Sequence, residues 1–82
     1  MGMILIAFDS TQQAIRAEAL LEYEDIDIDT RPTPKQVTAG CALSIEFPEE
    51  DLPKAKKIIR EGSVEIRGFY RKEGEVYIQL DI

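Results

Sequence analysis

Residues 30–47, TRPTPKQVTAGCALSIEF, are the stretch around which this chain is organised. They hold the end of one predicted strand, a loop with two prolines and the start of the next predicted strand. They also hold Cys41, the single cysteine of an 82-residue chain that has no histidine. Because no other residue type in the chain is a strong nucleophile, covalent chemistry in this protein would take place at Cys41.

The length and composition predict one soluble globular domain spanning residues 1–82, with 44% hydrophobic and 32% charged residues. No apolar run approaches the roughly 20 residues that cross a bilayer, and no signal peptide is expected before the first strand. A lone cysteine excludes an intrachain disulfide and fits a reducing cytosol, so the predicted location is cytoplasmic.

The charge and the missing histidines exclude further classes of function. The net charge of -6 argues against nucleic-acid binding, which needs a basic footprint. With one thiol and no histidine, a closed zinc site is not expected either.

The first half of the chain predicts a strand, a helix and a second strand. Residues 3–8 are a continuous apolar run typical of a central strand. Ser10 and Gln13 have the spacing of a capping box, which predicts a helix from there to about residue 23 or 24. Residues 26–31 alternate between apolar and polar, as a half-exposed strand does, and Pro32 and Pro34 end it.

The second half predicts a third strand, a second helix and a hairpin. Residues 41–47 alternate, with Cys41 on the apolar side. The acids of residues 49–51 open a helix for which Gly62 is a candidate C-terminal cap. Two strands, residues 64–71 and 76–82, flank a turn at residues 72–75 in which Gly74 is expected to have a positive φ.

The predicted order is βαββαβ plus one extra C-terminal strand, which indicates an α+β, ferredoxin-like fold: an antiparallel sheet with two helices on one face. Strands one and three are predicted to be central, and residues 26–31 to lie at or near an edge. In this topology the start of the first helix, the loop of residues 32–40 and Cys41 meet at one end of the domain.

Two interpretations of Cys41 remain open at this point. A thiol near a helix N-terminus meets a partial positive charge and free amides that stabilise the thiolate, and Arg31 and Lys35 flank the loop and could add to this effect. Alternatively, the alternation with Leu43, Ile45 and Phe47 points the side chain into the core, where free cysteine often packs as a small hydrophobe.

The motifs Phe8-Asp9-Ser10-Thr11, Pro32-Thr33-Pro34-Lys35 and Thr38-Ala39-Gly40-Cys41-Ala42-Leu43, in this order, resemble the putative selenium/sulfur carrier protein-like family. The resemblance covers about residues 3–70 and leaves the last strand as an extension. It implies that Cys41 matches the family's cysteine and carries sulfur or selenium. The chain departs from the family at Ala42, where glycine is usual. The residues predicted to bind substrate beside Cys41 are Ser10, Thr11, Lys35 and Gly40.

Two functional hypotheses follow. In the first, Cys41 accepts sulfur or selenium as a persulfide or perselenide, from a cysteine desulfurase or a selenium donor, and passes it to an acceptor protein. No cofactor is needed, and the protein is at most a carrier and not a turnover enzyme. In the second, the domain is a non-catalytic binding or assembly module and Cys41 is structural. A homodimer through the strand of residues 76–82 is a further expectation, if that strand lies at an edge.

Overall fold

The structure is a computed structural model that describes residues 2–37 and 39–80. Five strands, two α-helices and one 3-10 turn follow one another along these residues. In chain order they are β1 (Met3–Ala7), α1 (Thr11–Tyr23), β2 (Asp29–Pro32), β3 (Leu43–Pro48), the 3-10 turn Glu49–Asp51, α2 (Leu52–Glu61), β4 (Gly68–Glu73) and β5 (Val76–Gln79).

The strands form one sheet in the order β2-β3-β1-β4-β5, and every neighbouring pair is antiparallel. Strand β1 lies at the centre, where Ile6 is opposite both Ile45 of β3 and Phe69 of β4. The arrangement is α+β and ferredoxin-like with one extra strand, as the sequence predicts. The predicted central positions of β1 and β3 and the edge position of β2 are confirmed.

Both helices pack on the same face of the sheet because each presents one apolar stripe. Ala14, Ala17 and Leu21 of α1 and Ala55 and Ile59 of α2 are buried in the main core. The strands meet these helices with every second residue, as the pleat requires. The buried strand residues on this face are Ile4, Ile6, Ile45, Phe47 and Phe69.

The opposite face of the sheet has no helix within the described residues and is partly covered by the loop between β2 and β3. Val37 from this loop is buried in a second, smaller cluster with Leu5, Ala7 and Tyr70. Tyr77 packs against the same cluster. Tyr70 and Tyr77 therefore both pack on this face of the sheet.

The start of α1 differs from the predicted capping box, whereas the predicted C-terminal cap of α2, Gly62, is confirmed. Ser10 is the N-cap of α1, but its side chain makes no capping hydrogen bond, and the Gln13 Oε1 atom accepts instead from the Glu65 N–H at 3.0 Å. The predicted capping box is therefore wrong, because the Gln13 side chain has a tertiary partner. At the C-terminal end of α2, Gly62 is the C-cap and has an ordinary helical φ. The next residue, Ser63, has the left-handed conformation.

Both α-helices end in a Schellman motif, in which two backbone N–H groups bond back to carbonyls of the last turn. In α1 the N–H of Ile26 donates to Leu21 and that of Asp25 to Glu22, with Asp25 at φ 63°. Ile26 therefore belongs to the helix end and its side chain to the core. This is why β2 begins at Asp29 and not at the predicted residue 26.

The boundaries of the three later strands also shift. Strand β3 begins at Leu43, two residues after the predicted start, and β4 spans Gly68–Glu73, whereas residues 64–71 were predicted. The N–H of Val64 donates to the Ile59 carbonyl oxygen in the last turn of α2, so β4 begins later in the chain than predicted. Strand β5 ends at Gln79, and residues 81–82 of its predicted range lie outside the described residues. The hairpin prediction at Gly74 is confirmed, with φ +64°.

Candidate functional site at Cys41

The fold places Cys41 at the start of α1, as the topology argument predicts. The Cys41 N–H donates to the Phe8 carbonyl oxygen at 2.9 Å, just beyond the end of β1. Three residues further along the chain from Phe8, Thr11 is the first residue of α1. Cys41 is thus held by backbone at the point where the central strand passes into the helix.

Two hydrogen-bonding groups lie against the sulfur. The Thr11 Oγ1 atom is 3.4 Å from Cys41 Sγ, and either atom can donate. The Leu43 N–H donates to Sγ at 3.3 Å. A hydroxyl and an amide can both donate to a thiolate, so this arrangement is able to bind the negative form of the side chain.

Thr33, at the start of the loop that follows β2, forms hydrogen bonds with the backbone around Cys41. The Thr33 hydroxyl donates to the Cys41 carbonyl oxygen at 2.9 Å, and the Thr33 N–H donates to the Ala42 carbonyl oxygen at 2.7 Å. The same hydroxyl lies 2.6 Å from the Oγ atom of Ser44, whose side chain is fully buried. The two ends of the loop are therefore joined directly beside the thiol.

Gly40 fits closely against Asp9 on the other side of the thiol. The Gly40 N–H donates to Asp9 Oδ1 at 2.8 Å, and a Cβ atom at residue 40 would lie 2.9 Å from the Asp9 carbonyl oxygen. The Asp9 carboxylate also forms an ion pair with Arg67 at 3.7 Å. Because backbone lies so near, glycine is needed at position 40 for this approach.

Cys41 is only 5% exposed and belongs to the main hydrophobic core. The cysteine is free, and its apolar neighbours on the helix-covered face include Phe8 and Ile45. The structure thus combines features of both interpretations: hydrogen-bond donors at the sulfur and burial of the side chain. A reagent or partner can reach Sγ only where the few exposed atoms of the residue meet solvent or where the loop moves.

The predicted site residues divide into two groups. Thr11 contacts the thiol, and Gly40 directly precedes Cys41 in the chain. Ser10 is exposed at the N-cap of α1. It borders a separate cleft of about 250 Å³, which is also lined by Asp9, Gln13, Glu65 and Ile66. Lys35 is exposed in the turn before Val37. Among the described residues, no hydrogen bond or ion pair joins Lys35 or Arg31 to Cys41, and Arg31 pairs with Asp29 and Glu46.

Sequence reasoning did not assign a role to Thr33 or Asp9. Both are polar residues at the ends of predicted elements, where side chains commonly bind backbone groups. That signal singles out residue types, but the groups with which the Thr33 and Asp9 side chains form hydrogen bonds lie eight to thirty-one positions away. Only the folded chain identifies these two residues as supports of the Cys41 segment.

Within residues 2–37 and 39–80, no group of three or more acidic, histidine or cysteine side chains could hold a metal ion. Over the same residues, no helix has the length and apolar character needed to cross a membrane.

The fold and the site define a class of protein: a small α+β domain whose single cysteine lies where the central strand passes into the first helix. Residues 3–71 match the model of the family described as putative Se/S carrier protein-like, and the chain belongs to this family. The match ends at residue 71 within β4, so the extra strand β5 lies beyond it. Comparison with curated proteins and with solved structures finds no match.

Proposed function

We propose that this protein carries sulfur or selenium on Cys41 as a persulfide or perselenide and delivers it to an acceptor protein. The observation that carries the proposal is the pair of donors, the Thr11 hydroxyl and the Leu43 N–H, placed on Sγ in a chain of the Se/S carrier family. A carrier needs one nucleophilic sulfur and no metal or histidine base.

The transfer conserves atoms and electrons without an added oxidant. The Cys41 thiolate attacks the outer sulfur of a persulfide on the donor protein, the S–S bond of that persulfide breaks, and the donor cysteine leaves as a thiolate. A new S–S bond now joins Sγ to the transferred sulfur. In delivery, a nucleophile of the acceptor attacks this outer sulfur and Cys41 returns to its thiolate form. Selenium follows the same steps.

The neighbours of Cys41 have distinct parts in this proposal. Thr11 and Leu43 bind the thiolate before transfer and after delivery, when the negative charge is on Sγ. Thr33 holds the backbone of Cys41 in place. Ser10, Lys35 and Gly40 are exposed, and Gly40 precedes Cys41 directly in the chain, so these three residues are available to contact a partner protein.

The partners are a donor protein, for which a cysteine desulfurase is the proposed source of sulfur, and an acceptor protein. A net charge of -6 favours partners with a basic docking surface, because complementary charge speeds encounter. The proposed location is the cytoplasm, where a single thiol stays reduced. Transfer does not require a second copy of this chain.

The burial of Cys41 favours a second candidate, a binding or assembly module in which the cysteine is structural. At 5% exposure and in contact with the main core, the side chain also satisfies the description of a small buried hydrophobe. This candidate requires no reaction at Sγ, so the accessibility of the thiol in the folded protein distinguishes the two functions.

The first prediction tests the carrier function by intact mass. Incubated with a cysteine desulfurase and cysteine, the folded protein is expected to gain the mass of one sulfur atom, which dithiothreitol then removes. Cys41→Ser is the matched control and should gain nothing, because it retains a side chain of similar size without the thiol.

Alkylation of the folded protein with iodoacetamide provides the second half of this test. Reaction at Cys41 without denaturant agrees with the carrier function. Reaction only in denaturant, together with no sulfur gain, would contradict it and leave the structural role.

A further inference from the structure

Among the residues that the structure describes, β2 and β5 are the two edge strands of the sheet, and they differ in chemistry. Strand β2 (Asp29–Pro32) has two charged residues and a proline in four positions. Charges and proline are the usual means by which proteins prevent an edge from pairing with another chain. Strand β5 (Val76–Gln79) has neither a charge nor a proline. The β5 edge is therefore the one left open to a further strand.

The hydrogen-bonding direction along β5 follows from one observed bond. The Leu80 N–H donates to the Phe69 carbonyl oxygen at 2.8 Å. Because alternate residues of an antiparallel strand direct their backbone groups to the same neighbour, Ile78 and Val76 also face β4. The backbone N–H and C=O groups of Tyr77 and Gln79 therefore point away from the sheet, along its open edge.

The side chains on the helix-covered side of β5 are apolar and exposed. Val76 is 58% and Ile78 is 44% exposed, whereas Leu80, next on the same side, packs against the main core. Leu80 lies opposite Phe69 of the core, whereas Ile78 and Val76 lie opposite Arg71 and Glu73 of β4. Ile78 and Val76 therefore form an exposed apolar pair at the edge of the sheet. Apolar side chains beside unpaired backbone groups are the two features that a pairing strand requires.

We propose that β5 pairs with β5 of a second copy of this chain, antiparallel and around a twofold axis, to form one continuous ten-stranded sheet. The outward groups set the pairing: Tyr77 exchanges both backbone hydrogen bonds with Gln79 of the partner. Ile78 then lies at the axis against its own copy, and Val76 lies against the partner's Leu80. Every pair on the helix-covered side is apolar, so the strand is complementary to itself, as a twofold interface demands.

This surface is separate from the carrier site. Strand β5 follows residue 71, where the family match ends, and Cys41 lies in the loop before β3 on the other side of the central strand. Pairing at β5 leaves both thiols of the dimer available to partners. The proposal therefore stands or falls independently of sulfur transfer.

Sedimentation velocity across a concentration series is the test. The wild-type chain is expected to reach twice the monomer mass as concentration rises. Ile78→Lys is expected to lose the dimer, because it places two like charges at the axis. Thr30→Lys is the matched control, an exposed position on the β2 edge, and should dimerise as the wild type does. Circular dichroism confirms that each variant is folded.

Gln79→Pro is a second variant that keeps the proposal falsifiable if Ile78→Lys fails to fold. It removes one outward N–H without disturbing the β4 pairing, and loss of the dimer is again expected.

In a Cys41→Ser background, Ile78→Cys should form a disulfide-linked dimer on mild oxidation far faster than Val76→Cys does. A wild-type monomer at every concentration, a dimer that survives both β5 substitutions, or equal cross-linking at residues 76 and 78 would overturn the proposal.

Discussion

Thr11 is the residue by which the N-terminus of α1 forms a hydrogen bond with the Cys41 thiol. Its hydroxyl is 3.4 Å from Cys41 Sγ, and it occupies the first helical position, where backbone N–H groups lack partners within the helix. The Leu43 N–H approaches the same sulfur from the strand side. Removing the Thr11 hydroxyl removes one of two donors and leaves the other in place, so its contribution can be measured on its own.

Thr11→Val is expected to slow alkylation of the folded protein by roughly twofold to tenfold, the effect of losing one hydrogen bond to the thiolate. Thr11→Ser is the matched control and should react at close to the wild-type rate, because it keeps the hydroxyl. The measurement is the rate of iodoacetamide reaction at one fixed pH. Equal rates for valine and wild type would show that the Thr11 hydroxyl does not bind the reactive form of Cys41.

At the scale of elements, the loop between β2 and β3 is a structural unit in its own right. Thr33 joins its two ends, and Val37 anchors its middle to the face of the sheet that has no helix among the described residues. The fully buried hydroxyl of Ser44 has Thr33 as its partner. A buried hydroxyl without a partner costs free energy, so the pairing of Thr33 with Ser44 couples the loop to β3.

Thr33→Val is expected to lower the free energy of unfolding by about 1–3 kcal/mol, because it leaves the Ser44 hydroxyl buried and unpaired. Valine has a similar shape, so packing changes little. Ser44→Ala added to Thr33→Val should recover part of the loss, since no orphan hydroxyl then remains. Urea denaturation of the two single variants and the double variant measures the coupling. Additive losses would contradict the pairing.

The negative net charge of the whole molecule disfavours binding of its surface to nucleic acids. The net charge is -6, and three of the arginines, Arg31, Arg67 and Arg71, form ion pairs with nearby carboxylates. The open sheet face also carries Lys72 beside Tyr77, but Glu46 borders the same cleft. Phosphate backbones need a basic surface that is not neutralised in this way.

We therefore expect no mobility shift with either DNA or RNA at physiological salt. A basic nucleic-acid-binding protein in the same gel is the positive control. A shift that weakens as salt is raised would contradict this prediction, because that dependence is typical of binding through phosphate charge.

The fold class, the order of the elements and the end of the domain at which Cys41 lies could all be predicted from the amino-acid sequence. Apolar periodicity identifies each helix and strand, and the directions of consecutive strands then determine which loops meet. Element boundaries were less predictable: Ile26 and Val64 read as strand residues, but their N–H groups complete helix termini. Local pattern cannot distinguish these two uses of an apolar residue next to a helix.

The groups that surround the Cys41 thiol could not be predicted from the sequence, because they come from distant parts of the chain. Thr11 and Thr33 reach Cys41 from 30 and 8 positions away, and Gln13 binds Glu65 across 52 positions in place of its predicted capping role. Hydrogen bonds between distant residues depend on how the strands and loops pack, and no spacing in the chain encodes them. The burial of Cys41 likewise depends on the helix layer above it, which the alternation of one strand could suggest but not establish.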